Sequence, residues 1–171
     1  MRIRFRDATP EDALPVGEVH YVARADAYPA FLPPERVNWR TLAERQAQWG
    51  DFLREPGYGR DRFLVVLEAE GIAGFAAGGP QRHGDPDYPG EVWSIYILRA
   101  HQGQGCGRRL MSELARRLVP AGFPGLIVWT QGANAPARGF YEHLGGRYVR
   151  SRPVQGIDIV GYGWPDARTL L

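Results

Sequence analysis

The segment Gln102-Gly103-Gln104-Gly105-Cys106-Gly107 stands between a β-branched and aromatic run, Glu91 to Leu98, and a stretch whose apolar residues recur at helical spacing. Three glycines at alternate positions suit a tight turn, because glycine adopts positive φ at little steric cost and lets a ligand approach the backbone. A helix that starts there presents unpaired N–H groups and the positive end of its dipole, so the turn is a site for an anion. A dinucleotide fold would need a parallel strand with an acid about 20 residues on, and the next strand, Leu126 to Thr130, ends without one. A Walker loop would need Gly-Lys-Ser/Thr, and the turn has no lysine.

The rest of the pattern places this turn in a mixed α/β domain. Ile3 to Arg6 alternates as a short strand, and Thr9-Pro10-Glu11-Asp12 signals a helix start, continuing to about Tyr28. Pro29, Pro33 and Pro34 end that helix, and a second is expected from about Glu35 to Leu53. Phe63–Leu67 and Ile72–Ala76 form a hairpin across Glu70-Gly71, and Gly78 to Gly90 reads as a polar surface loop. Leu110, Met111, Leu114 and Leu118 make one stripe while Arg108, Arg109, Arg116 and Arg117 face water. After the strand at Leu126, Ala135 to Leu144 is a short helix closed by Gly145-Gly146, and Arg147–Val154 with Ile157–Tyr162 is a final strand pair.

With 171 residues, 44% of them apolar, the chain suits a single domain over residues 1–171. A formal charge of +2 with no dense basic block argues against nucleic acid. The lone cysteine, Cys106, excludes an internal disulfide and fits a reducing compartment. Met1 to Phe5 lacks the apolar stretch of a signal peptide and no run approaches a membrane span, so a cytoplasmic protein with no membrane partner is expected. His20, His101 and His143 have no metal-ligand spacing, and no metal is expected.

Gln-x-x-Gly-x-Gly after a strand and opening a helix resembles the acetyl-CoA motif of the GNAT superfamily of N-acetyltransferases. Glu91-Val92-Trp93-Ser94-Ile95-Tyr96-Ile97 is similar to the strand that precedes it in the family, and Asn134 followed by Ala137 to Gly145 to its later cofactor-side helix. The resemblance spans most of residues 63 to 162 and is loose over the first 55. It implies an α+β fold, with a mixed, mostly antiparallel sheet of about seven strands, about four helices and splayed central strands. It further implies an enzyme that moves an acetyl group from acetyl-CoA to a primary amine of a small molecule or peptide, by direct attack in a ternary complex. The alternative is a catalytically inactive acyl-CoA sensor of the same fold. Homodimers are common in the family, and nothing in the sequence specifies one.

Carried over, the resemblance implies that backbone groups of Ile95, Tyr96 and Ile97 bond the pantetheine arm. Gln102, Gly103, Gln104, Gly105, Cys106, Gly107 and Arg108 would cradle the pyrophosphate, with Arg109 a solvated face. Glu91 occupies the place of a general base in some members, with Asp85, Asp87 and His83 as weaker alternatives, and a solvated strand-edge glutamate is the other reading. Tyr141 sits where a tyrosine donates to the departing thiolate. Asn134 either fixes the pantetheine amide or caps the helix at Ala135. An N–H near Ile97 or Leu98, where the family's strand bulges, would meet the oxyanion. Cys106 has no His–Asp partner pattern and is not read as a nucleophile. Tyr21, Tyr28, Phe31, Trp39, Trp49 and Phe52 make the first helices aromatic, and a few of them would line an acceptor pocket. The acids Asp85, Asp87 and Glu91 near its mouth favour a cationic acceptor.

Overall fold

A computed structural model describes residues 3–171, so Met1 and Arg2, on which the reading of the amino terminus partly rests, lie outside the described residues. Seven strands form one sheet: β1 (Arg4–Asp7), β2 (Phe63–Glu68), β3 (Ile72–Pro80), β4 (Gly90–Ile97), β5 (Leu126–Gln131), β6 (Arg147–Val154) and β7 (Ile157–Trp164). Their spatial order is β1-β2-β3-β4-β5-β7-β6, antiparallel at every pair except β4 and β5. The helices are α1 (Ala13–Ala27), a single turn α2 (Pro34–Val37), α3 (Leu42–Arg54), α4 (Cys106–Leu118) and α5 (Ala135–His143).

Alternation along the strands sorts the side chains into two cores, one on each face. Val65, Leu67, Val92, Val128 and Tyr162 pack under α4 and α5 with Leu110, Leu114 and Tyr141. Leu64, Val66, Phe75 and Ala77 pack against α1 and α3 through Val16, Val19, Trp49 and Leu53. Fully burying a Leu, Val or Phe side chain is worth about 1.5–3 kcal/mol, so these two stripes hold the helices in place.

Two expected boundaries move. The helix expected from Glu35 to Leu53 is broken between α2 and α3, because Thr41 starts a new one: its hydroxyl accepts from Glu44 N–H at 3.2 Å, and Glu44 Oε2 accepts from Thr41 N–H at 2.7 Å. The loop expected from Gly78 begins as strand, since Gly78, Gly79 and Pro80 pair with Val92, Glu91 and Gly90. Gly79 is required there by close packing, as a Cβ would lie 2.5 Å from the Trp93 ring. No helix among the described residues is long and apolar enough to cross a membrane.

The parallel pair sets up the site. β4 and β5 pair only at Gly90, Glu91 and Val92 with Leu126, Ile127 and Val128. Beyond Val92 and Val128 they diverge, and the wedge between them opens toward the glycine turn.

Candidate active site

The wedge is a cleft of about 610 Å³, bordered on one side by Trp93 to Ile97 and on the other by Val128, Trp129 and Thr130. Its floor is α5 with Phe140 and Tyr141, and its open end is the turn at Gly103, Gly105, Gly107 and Arg108. Leu98 N–H donates to Ala73 O at 2.9 Å, and the antiparallel ladder alternates, so Ser94 and Tyr96 also direct their main chain to β3. Ile95 and Ile97 therefore direct theirs into the cleft, where β5 is too far away to pair. Ile97 O already accepts from Gln102 Nε2 at 2.8 Å, which ties the turn to the strand.

Gly103 and Gly105 take φ of 71° and 78°, the left-handed region that disfavours side chains. No atom lies within 4 Å of a Cβ built on either, so the cradle above them is open. The first i−4 bond of α4 runs from Arg109 N–H to Gly105 O at 3.1 Å. The N–H groups of Cys106, Gly107 and Arg108 are consequently unpaired within the helix, and no acid sits in the first turn to offset its dipole. Arg108 is exposed beside the cleft, whereas Arg109 pairs with Glu113 at 3.1 Å. An anionic diphosphate fits this donor set. Gln104 Nε2 donates to Ala100 O at 2.8 Å and Cys106 is buried in the core, so neither side chain borders the cleft.

Tyr141 is 5% exposed and its hydroxyl has no hydrogen-bond partner among the described residues, yet it borders the cleft. Burial, reinforced by the nearby Tyr96 phenol, pushes its pKa up, so the phenol holds its proton at any ordinary pH. Asn134 caps α5, its Oδ1 accepting from Ala137 N–H at 3.1 Å, and the amide also borders the cleft. Capping uses the oxygen and leaves the nitrogen free to donate.

The family that matches is the Acetyltransferase (GNAT) family, over residues 24–146. The chain belongs to this family. It is 29% identical over 172 residues to the uncharacterized N-acetyltransferase YuaI of Bacillus subtilis, covering 98% of this chain and 96% of that one. Its structure is similar to the PaiA N-acetyltransferase of Thermoplasma acidophilum, solved with coenzyme A: TM-score 0.76, 16% identity, covering 96% of this chain and 100% of that one. YncA of Salmonella typhimurium, solved with its cofactor acetyl-CoA, gives a TM-score of 0.70 at 23% identity, covering 96% and 94%. This GNAT protein is an acetyl-CoA-dependent acyltransferase.

Several expectations about its site need correction. Glu91 does not border the cleft: it is 1% exposed, and its carboxylate accepts from Arg82 Nη2 at 2.5 Å and from Arg82 N–H at 3.1 Å. Both oxygens are occupied, so the carboxylate anchors the β3–β4 loop instead of reaching an amine. Asp85 is likewise taken, by Arg150 at 2.9 Å, so two of the three acids expected to favour a cationic acceptor are already paired with arginines. The β4 bulge lies at Trp93, between the pairs Gly78–Val92 and Ala77–Ser94, and Leu98 N–H is spent on Ala73. Tyr96 turns its main chain to β3 and offers the cleft its side chain.

Sequence reasoning missed the network around that side chain. Tyr96 Oη lies 3.0 Å from Tyr28 Oη and accepts from Arg24 Nη1 at 3.3 Å. His20 stacks on the Tyr96 ring at 4.5 Å and accepts at Nδ1 from Trp49 Nε1 at 3.1 Å. Burial, then the charges of Arg45, Arg24 and Arg40, push the His20 pKa down to about 2, so it is a neutral packing element. Of the amino-terminal aromatics, Tyr28 borders the cleft, Trp49 is core and Trp39 is exposed. The helical spacing in that segment gave no signal that would separate these three.

Proposed function

We propose that this protein acetylates a primary amine of a small molecule or peptide in a ternary complex, with the pantetheine arm lying between β4 and β5. The observation that carries the reading is the wedge itself. Unpaired N–H groups at Ile95 and Ile97 run from an unpartnered phenol, Tyr141, to the free N–H groups at the head of α4. When bound, acetyl-CoA supplies an acetyl group activated as a thioester.

In this reading Cys106, Gly107 and Arg108 N–H hold the pyrophosphate, with Arg108 adding charge. Ile97 N–H, with Asn134 Nδ2, holds the arm in register, so the thioester end reaches the apex near Trp93 and Trp129. Ile95 N–H is the first donor beyond the apex that points into the cleft, and it meets the carbonyl oxygen. Tyr141 gives its proton to the departing sulfur. No Asp or Glu borders the cleft among the described residues, so the amine loses its proton to solvent and acts in its neutral form.

A thiol-release assay over a panel of primary amines tests this. Turnover with at least one amine, slowed at kcat in Tyr141→Phe, is expected. Calorimetric binding of CoA with no turnover on any amine would replace the enzyme with an acyl-CoA sensor.

A further inference from the structure

The Arg24 guanidinium is bonded without an acid. Its Nε donates to Val37 O at 2.8 Å, its Nη2 to Arg36 O at 3.2 Å and its Nη1 to Tyr96 Oη at 3.3 Å, and all three acceptors are uncharged. Its Cζ stands 4.1 Å over the Tyr28 ring. Two main-chain carbonyls and an aromatic face thus fix a positive charge so that one N–H points at a phenol on the cleft wall.

Tyr96 Oη lies 3.0 Å from Tyr28 Oη, and both tyrosines border the cleft. The two phenols carry two protons and share one gap, so one O–H is left to point out of the pair. Because Tyr96 Oη already accepts from Arg24, its own proton is best placed toward Tyr28 Oη, and the chain runs from Arg24 through Tyr96 to a free Tyr28 O–H. Hydrogen bonds ordered head to tail polarise one another, so the charge on Arg24 strengthens the donor at the far end. Burial, then the neighbouring Tyr96 phenol, pushes the Tyr28 pKa up, and the hydroxyl keeps its proton.

This donor stands opposite Tyr141. Tyr96 packs with the α1–α3 core and Tyr141 lies in the α4–α5 core, so the two reach the cleft from opposite faces of the sheet, where β4 and β5 part. The Tyr141 phenol is near enough to Tyr28 to add, in small measure, to the upward push on its pKa, so both hydroxyls face one short stretch of the cleft. His20 stacks on the Tyr96 ring at 4.5 Å, and this packing with the three bonds of Arg24 holds the chain in place before any ligand arrives. A preorganised donor rooted in a positive charge complements negative charge that develops during reaction, not a cationic amine.

We propose that the Tyr28 hydroxyl is a second oxyanion donor, acting with Ile95 N–H on the thioester carbonyl oxygen, and that Tyr96 and Arg24 are positioning residues that orient and polarise it. The proposal rests on the amine-acetylation reading above and assigns residues to its charged step. As the amine nitrogen bonds to the carbonyl carbon, the C=O π pair moves onto oxygen, which accepts hydrogen bonds from Ile95 N–H and Tyr28 O–H without taking a proton. The pair then re-forms C=O and the C–S bond breaks. The sulfur takes the Tyr141 proton, the nitrogen gives its extra proton to solvent, and solvent reprotonates Tyr141.

The test takes the amine that the parent turns over fastest and measures single-turnover rate, acceptor KM and calorimetric CoA binding. Removing one oxyanion donor costs about 10²–10³ in rate, so Tyr28→Phe should slow transfer ~100-fold, the low end because Ile95 N–H remains. Acceptor KM and CoA affinity should stay within about threefold and the melting midpoint should hold, since the ring is kept. Tyr96→Phe leaves the Tyr28 hydroxyl but cuts it off from Arg24. A charge-assisted hydrogen bond is roughly twice as strong as a neutral one, so that variant should lose about 10-fold. Added to Tyr28→Phe, it should cost less than about threefold more, because the chain has already lost its end. Normal transfer in Tyr28→Phe, or a loss confined to acceptor KM, overturns the proposal and leaves amine acetylation intact. Losses that multiply in the double variant, or a larger loss in Tyr96→Phe than in Tyr28→Phe, overturn the assigned chain. A pH profile whose rising limb moves in Tyr28→Phe makes the pair a base and overturns the donor role. No turnover of any amine by the parent, with CoA still bound in calorimetry, overturns the acetylation reading and this proposal with it.

Discussion

On the α4 side the cleft offers main chain: N–H groups at the head of a helix, two glycines with positive φ, and the unpaired edge of β4. On the α1–α3 side it offers side chains: Tyr28, Tyr96 and Arg24 in one network, braced from behind by His20 and Trp49. Donors built from backbone depend on φ and on the absence of side chains, and they serve any ligand with the same diphosphate and amide skeleton. Donors built from side chains depend on packing between distant segments, and each can be exchanged without disturbing the sheet. A constant cosubstrate suits the first material and a particular acceptor suits the second.

The sharpest break in this contrast is Tyr141, a side chain placed on the backbone-built side. If Tyr141 gives its proton to the departing sulfur, as proposed, Tyr141→Phe removes that donor, and general acid catalysis is worth about 10²–10⁴, so kcat should fall at least ~100-fold. The acetyl-CoA KM should move by less than about threefold, because the phenyl ring keeps the packing. An equal loss in KM would make Tyr141 a binding group. Next in size is Gly105→Val. A β-branched residue at φ 78° costs about 1–2 kcal/mol or more and tilts the N–H groups of the first turn, so acetyl-CoA KM should rise about 10- to 30-fold with kcat nearly constant. A normal KM would show that the cradle does not depend on that backbone geometry.

Glu91→Gln tests the opposite claim, that an acid near the cleft is structural. Replacing one partner of the buried pair with Arg82 should cost about 1–3 kcal/mol of stability. The pH profile of kcat/KM should keep its shape, rising toward the pKa of the acceptor amine in both proteins. A rising limb that moves in the variant would restore Glu91 as the base.

The difference in material also explains what could be read beforehand. The glycine turn, β4, α4 and the Asn134–Tyr141 helix are contiguous in sequence, and their roles follow from local conformation, so their positions were legible. The partners of Glu91 and Asp85 were not. Arg82 reaches back from a loop and Arg150 comes from β6, and no periodicity announces that a carboxylate will be neutralised. The bulge at Trp93 depends on how β3 and β4 pair, and the Tyr28–Tyr96 contact joins residues on different elements. The break between α2 and α3 was legible in principle, since Thr41 and Glu44 form a capping box inside the expected helix.

His20 offers a smaller test on the side-chain half. Its pKa is lowered to about 2 from 6.5, so the unfolded chain binds a proton that the folded chain refuses. The stability it contributes is fully present above pH 6.5 and is lost as pH falls from there toward 2. The loss approaches about 1.4 kcal/mol per pH unit from this one group. His20→Gln keeps an acceptor near Trp49 Nε1 and does not titrate, so its denaturation midpoint should fall less steeply between pH 6 and 4. Identical slopes would mean that the imidazole is protonated in the folded protein.

The smallest expected effect separates the two duties of Asn134. Asn134→Ala removes the bond from Ala137 N–H to Oδ1, and an N-cap is worth about 1 kcal/mol, so the melting midpoint should fall by about 2–4 °C for a domain of this size. Asn134→Asp keeps an accepting oxygen for the cap and adds charge favourable to the helix dipole, but it lacks the amide N–H. If the nitrogen holds the pantetheine arm, the Asp variant should melt like the parent while its acetyl-CoA KM rises severalfold. If capping is the whole role, both its stability and its KM should match the parent, and α5 then contributes only Tyr141 and ring surface to the cleft.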